Sequence, residues 1–418
     1  MSTVTANGLP RTLVHAKALS LVASSAVALA VFLLGFVIRE PAPYELFMAG
    51  LIGVWFLFGL RLSRHAVALL ALLAAFNIGG LLSMTTMGDL YTTPLFLAVS
   101  LFLAFTAVFF TAILEADHRR YKLIFIAWVA AALATGMLGI AGYFGLFPGA
   151  EVFTKFNRAT GAFQDPNVFG PFLVLPGVYV LYRLLTGNPL RLPLYAISFV
   201  VIVTAIFLSF SRGAWGLFAA ASMMLTAALF LQSNSGLFRL RVALMAGLAV
   251  IILAGAILVA MQLPGVSDLF STRAKLVQDY DGGQLGRFAR FPIGFGMATE
   301  NPLGIGPLNF GRTLGEDTHN VWLSSLMNYG WLGFASFFTL VLATVAGGFR
   351  ILFRDRPWQP YLLCAYVTFL GHIALGTVID MDHWRHFYLL IGLIWGAMAL
   401  ETRYQRALQA GEQPFPSA

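Results

Sequence analysis

The chain has 418 residues, of which 59% are hydrophobic and only 11% charged, and its formal net charge at pH 7 is +8. With a mean hydropathy of +0.81, this composition excludes a soluble domain of any size and marks an integral membrane protein. The single cysteine, Cys364, lies in an apolar run, which excludes disulfides and cysteine-based metal sites. Much of the basic excess sits in short loops between apolar runs, the pattern of topology anchors rather than of a nucleic-acid surface.

Apolar runs of roughly 20 residues are long enough to cross a bilayer. They predict twelve membrane helices, near 18–38, 44–61, 66–84, 92–114, 122–147, 168–186, 192–209, 213–231, 241–261, 320–348, 360–379 and 385–402. The first run, from Lys17 to Ile38, is long for a signal-peptide core and has no clear small-residue cleavage site, so it reads as a retained span. With the N-terminus inside, the cytoplasmic side receives Arg11, Lys17, Arg61, Arg64, Arg119, Arg120, Lys122, Arg183, Arg191, Arg239, Arg241, Arg350, Arg354, Arg356, Arg403 and Arg406. These are sixteen of the 26 basic residues. The opposite orientation would reverse this bias in nearly every short loop, so both termini are expected in the cytoplasm. The expected fold is all-α: a polytopic bundle of about twelve transmembrane helices with a long periplasmic loop containing a short interfacial helix. The expected division is 1–261 for the first nine helices, 262–319 for the periplasmic loop with the catalytic residues, and 320–418 for the last three helices and a cytoplasmic tail.

The outer loops hold arginines that topology does not call for. Asn157–Asn167 (NRATGAFQDPN) ends in turn chemistry and carries Arg158; this arginine meets either lipid headgroups or a ligand. Arg212, in SFSRGAW, sits in a tight turn between apolar runs, where it either snorkels to headgroups or faces an anion in a polar cavity. Gly286–Gly306 reads as an interfacial helix with Phe288, Phe291 and Phe295 at spacings of three and four, then a Pro/Gly turn. Arg287 and Arg290 share a helix face there. They either present guanidinium forks to a pyrophosphate or pair with Asp279, Asp281 or Glu300. In Glu316–Gly333, Asp317 or Thr318 is the expected N-cap, with His319 in the first turn of the next helix. A helix N-terminus favours the neutral imidazole, while Glu316 and Asp317 favour the charged one; the histidine is either structural or a base. The turn Ile379–Gly392 packs Asp380, Asp382, His383, Arg385 and His386, either as a salt-bridged support or, less simply, as a metal site. The Asp-x-Asp pairs at 279/281 and 380/382 lie on the wrong face for a nucleotide-sugar site.

Taken in order, these segments resemble the O-antigen ligase family, whose broader group includes O-antigen and exopolysaccharide polymerases. The resemblance rests on the loop from Arg158 to Asn167, the Ser-Arg-Gly turn at Ser211–Gly213, and Arg287 followed by Pro-Leu-Gly-Ile-Gly up to Gly306. It continues with the His319–Asn320 pair before an apolar helix with Gly330 and Gly333, and ends at Asp382–Arg385. Phe291 stands where members often have tryptophan. No single motif is specific; the ordered set over the C-terminal two-thirds is.

The resemblance implies a glycosyltransferase of the bacterial inner membrane, working at its periplasmic face. Its donor would be a glycan on undecaprenyl pyrophosphate, and its acceptor a sugar hydroxyl of lipid A–core or, for a polymerase, another lipid-linked glycan. Carried over residue by residue, Arg212 and Arg287 clamp the pyrophosphate leaving group and His319 is the base on the acceptor. Arg158, Arg290, Asn320 and Arg385 are the accompanying substrate-binding residues. No metal, cofactor or nucleic acid enters this scheme; membrane lipids are the other expected partners. A lipid-linked sugar transporter, the competing class, would more naturally show repeated halves and charges at mid-membrane.

Overall fold

The structure, a computed structural model, describes residues 11–59, 62–262, 267, 270, 286 and 288–413. The chain is all-α apart from one two-residue hairpin. Its helices are α1 (Arg11–Leu33), α2 (Pro43–Leu57), α3 (Arg64–Met84), α4 (Thr93–Ala116), α5 (Arg120–Tyr143), α6 (Pro166–Phe172), α7 (Val174–Thr186), α8 (Leu192–Leu208), α9 (Arg212–Gln232) and α10 (Gly236–Ala260). They continue with α11 (Arg290–Glu300), α12 (Asn309–Leu314), α13 (Val321–Ile351), α14 (Gln359–Leu375) and α15 (Arg385–Gln409). Every apolar run identified in the sequence is helical, and the stretch 168–231 divides into three segments as expected. Among the described residues seven helices are long and apolar enough to cross a membrane. The protein is a multi-pass membrane protein, in which backbone groups must find their partners within the protein.

Lipid offers little hydrophobic drive between helices, so close packing and polar contacts join them. Helix α3 lies along α13, and α4 along α15. Small residues allow this approach: a Cβ on Gly79 would sit 2.7 Å from Gly333 N, and one on Gly392 would sit 2.9 Å from Ala107 O. Thr111 and Tyr121 add hydroxyl bonds to the backbone of α15, at Gly392 O (3.4 Å) and Leu393 O (2.5 Å).

Polar pairs gather at the two ends of the bundle. At one end Arg354 and Arg356 hold Glu401 (2.6 and 2.7 Å), and Arg403 donates to Glu115 O (3.0 Å). This end carries most of the basic loops. At the other, Arg385 bonds Glu40 (2.9 Å) and Glu45 beside α2, and Ser83 at the end of α3 accepts from Gly306 N (2.9 Å). Arg158, Arg212, Arg290 and His319 belong to this second end.

Candidate functional site

The site is built around an interruption of α13. Gly330 has φ 65° and ψ −172°, a conformation essentially restricted to glycine. Two backbone groups lose their helical partners there, Met327 O and Trp331 N. The Pro302–Gly306 loop replaces both: Ile305 N donates to Met327 O at 2.8 Å and Trp331 N donates to Pro302 O at 3.0 Å. Gly304 (φ +91°) has no room for a side chain, since its Cβ would lie 2.6 Å from Met327 O. The Pro-Leu-Gly-Ile-Gly run and the glycine of the following helix are thus two halves of one joint, which satisfies buried backbone groups.

That joint docks α11 and α12 on the start of α13 over a small apolar core of Ala298, Ile305, Phe310, Leu323, Leu326 and Met327. Phe291 packs into this core, while Phe288 and Phe295 stay exposed (54% and 56%). The apolar stripe is therefore split between protein and surroundings. Arg290 opens α11 and is buried. Its Nη1 bonds Glu316 Oε2 at 2.6 Å and Asp317 O at 3.3 Å; among the described residues the partner is Glu316 rather than the Glu300 expected from the sequence, and Asp279 and Asp281 lie outside the described residues.

The other carboxylate oxygen, Glu316 Oε1, lies 3.1 Å from His319 Nε2, and Asp380 Oδ2 lies 3.7 Å from His319 Nδ1. An ionised carboxylate only accepts, so this contact places the imidazole hydrogen on Nε2. The bond from Arg290 holds the Glu316 carboxyl below its usual range. Burial raises Asp317, against an opposing bond from Gly311 N. Burial, with Asp382 and Asp317 nearby, pushes Asp380 up to about 8. The cluster so combines one anchored anion, one carboxyl that retains its proton near neutrality, and an imidazole between them.

His319 is not in the first helical turn, and neither Asp317 nor Thr318 is the cap. Asn320 is the N-cap of α13, its Oδ1 accepting from Trp322 N (3.0 Å) and Leu323 N (3.2 Å), and His319 precedes it with φ 51°. The reason is that Asp317 is already engaged by Gly311 N (3.0 Å) while Thr318 is turned into the interior. A left-handed non-glycine residue is a strained one, held by its surroundings.

Arg212 is the first residue of α9, whose N-cap Ser211 accepts from Ala214 N at 3.4 Å. The preceding turn is held by Arg158, which is buried: its Nε donates to Ser209 O and its Nη2 to Asn167 Oδ1, both at 2.7 Å. Gly213 abuts Leu375 at the end of α14, and Gly376 O next to it accepts from Val321 N at 2.8 Å. This contact brings the Arg212 turn to the start of the His319 helix. Arg287 lies outside the described residues, as do Arg273, Lys275, Asp279 and Asp281.

Three of the residues expected to bind substrate have partners within the protein. Arg290 bonds Glu316, Asn320 caps α13, and Arg385 joins α15 to Glu40 and Glu45. The turn at 379–386 is likewise internally bonded. His383 Nδ1 lies 3.1 Å from Asp382 Oδ2, its Nε2 lies 3.1 Å from Phe96 O, and its ring stacks on Phe96; His386 is buried apart beside His372. Among the described residues no three His, Cys, Asp or Glu side chains converge in a metal-binding arrangement. Sequence reasoning weighed Glu316 only as a charge near His319 and did not bring Asp380 to it. The i, i+3 spacing of Glu316 and His319 was the available signal for the first; nothing local pointed to the second.

Beside the Arg212 turn an apolar cavity of about 830 Å³ runs between α7, α8, α9 and α10, with Phe207, Trp215 and Phe270 among its lining residues. Residues 197–338 match a family model described as O-antigen ligase. That range contains Arg212, Arg290, Glu316 and His319; Arg158 and the 379–386 turn lie outside it. No curated protein matches the chain.

Proposed function

We propose, from the O-antigen ligase family domain that the chain carries over residues 197–338, that this membrane protein is a glycosyltransferase joining a lipid-linked glycan to a sugar hydroxyl. The donor in this reading is a glycan on undecaprenyl pyrophosphate, the acceptor lipid A–core, and the site faces the periplasm from the inner membrane. Both termini are then cytoplasmic, residues 262–319 form the periplasmic loop with the catalytic groups, and 1–261 and 320–418 supply the flanking helices.

The observation that carries the reading is the chain Arg290–Glu316–His319, with bonds of 2.6 and 3.1 Å. It is a base oriented by a carboxylate that is itself fixed by a buried guanidinium, the arrangement a hydroxyl nucleophile requires. With the hydrogen on Nε2, Nδ1 takes the proton from the acceptor hydroxyl. The acceptor oxygen forms its bond to the anomeric carbon as the bond from that carbon to the pyrophosphate oxygen breaks, inverting the centre. The pyrophosphate leaves as an anion against Arg212 and Arg287, which do the electrostatic work without a metal. Arg158, Arg290, Asn320 and Arg385 are the accompanying substrate-binding residues in this reading. The apolar cavity beside Arg212 has the lining that a polyprenyl chain needs.

The test is a purified protein supplied with lipid-linked glycan and acceptor, followed by release of the carrier lipid. Turnover is expected in the wild type. His319→Ala should lose about 100- to 10,000-fold in rate, the range for removing a general base, with donor binding retained. A variant that turns over as fast as wild type would make His319 structural and end this mechanism.

A further inference from the structure

At the end of the bundle opposite His319, a second cavity of about 320 Å³ lies between the end of α7 and the start of α14. Tyr179, Tyr182, Arg183 and Asn188 line one side, Tyr361 and Pro360 the other. Unlike the cavity beside Arg212, it is rich in donors. Arg183 Nη1 donates to the Tyr179 hydroxyl at 3.3 Å, and its guanidinium rests 5.1 Å from the Tyr195 ring. Asn188 Oδ1 accepts from Leu190 N (2.9 Å), which turns its role at the cavity to that of its amide hydrogens. The groups acting on Arg183 are the phenols of Tyr179, Tyr195 and Tyr361. Among the described residues no carboxylate pairs with this arginine, whereas Arg354 and Arg356 at the same end both hold Glu401.

We propose that this cavity binds the phosphate of an anionic phospholipid headgroup. A guanidinium with donors to spare and flanking hydroxyls is suited to phosphate oxygens. Tyrosines at the ends of apolar helices lie at headgroup level, and basic pockets between helices on the positively charged side take acidic lipids. The missing carboxylate sets the selectivity. No carboxylate among the described lining residues pairs with an ammonium, so phosphatidylglycerol is preferred over phosphatidylethanolamine. The proposal is independent of the glycosyl-transfer chemistry, since it concerns other residues at the other end of the molecule.

The experiment is lipid titration of the purified full chain in detergent, read by native mass spectrometry and by the melting temperature. The probes are phosphatidylglycerol, phosphatidylethanolamine, phosphatidylcholine and inorganic phosphate. Phosphatidylglycerol should bind and raise the melting temperature, with the two zwitterionic lipids at least about tenfold weaker, the cost of placing their cation beside Arg183 without a carboxylate. Arg183→Gln should weaken phosphatidylglycerol by about 10- to 100-fold, while Arg191→Gln, exposed and outside the cavity, should not. Tyr361→Phe removes a donor without touching the charge and should cost about 2- to 10-fold; it serves if Arg183→Gln fails to fold. Equal losses in Arg183→Gln and Arg191→Gln would reduce the effect to diffuse charge and overturn the site. So would equal binding of phosphatidylethanolamine, or an equal shift from inorganic phosphate alone, which would identify a free-anion site.

Discussion

Replacing Glu316 by glutamine keeps the shape of the side chain and removes its charge. In the native protein one carboxylate oxygen receives Arg290 Nη1 and the other faces His319 Nε2. If the amide oxygen stays with Arg290, the amide nitrogen turns toward Nε2 and requires a lone pair there, moving the imidazole hydrogen to Nδ1. The nitrogen assigned to accept the substrate proton is then blocked. A hydrogen bond to a charged group contributes about 1.5–3 kcal/mol. Glu316 is 57% exposed, so solvent screening leaves roughly half of that, ~1–1.5 kcal/mol. The wrong tautomer adds to this loss, but a partly exposed imidazole regains the right one by rotation, which keeps the effect well below that in a sealed triad. The expected fall in kcat is about 10- to 100-fold, with donor affinity unchanged. Single-turnover release of the carrier lipid, measured beside donor binding, reads both. Arg290→Met should lower kcat in the same way, and the double variant should be no worse than the worse single one, because the residues act as a unit. Wild-type turnover in Glu316→Gln, with His319→Ala inactive, would refute the orienting role.

Four further outcomes follow from the same geometry. Asp380 titrates in the folded protein at about 8, above the unfolded carboxylate value of about 3.9, so its stabilising contribution is complete below about pH 4 and is lost as pH rises through about 8. Asp380→Asn should flatten the fall in melting temperature between about pH 4 and about pH 8, and an unchanged profile would deny the raised value. Gly330→Ala places a Cβ 2.6 Å from the Leu303 backbone in a glycine-only conformation; at about 1–3 kcal/mol of strain it should lower the melting temperature by several degrees, and an unaltered melt would show that the joint yields. Arg212→Lys keeps charge and loses the fork, and should cost about 30- to 1000-fold in turnover; a fully active lysine variant would remove Arg212 from the leaving-group clamp. Activity should survive EDTA, and its loss with rescue by magnesium or manganese would make ligands of Asp279, Asp281, Asp380 and Asp382.

What was legible in the sequence was whatever depends on neighbours along the chain. Apolar run length decides where helices form in a membrane, because an unpaired backbone cannot be left in lipid, and helices stand at every run that length identified. The arginines of the polar segments and the ordered glycine motifs were visible for the same reason. Their partners were not. Arg385 meets Glu40 and Glu45 from the far end of the chain, and Arg158 meets Ser209 across α6, α7 and α8. Asp380 reaches His319 only because α14 brings its end beside the start of α13. Local capping preference pointed to Asp317 or Thr318, and tertiary contacts overrode it by engaging the first and burying the second, leaving Asn320 to cap and His319 in a left-handed turn. The glycines of Pro302–Gly306 and Gly330 were each recognisable as special positions. Only the fold shows that each supplies the backbone partner the other lacks, since hydrogen bonds across such separations are set by packing and leave no periodic trace in the sequence.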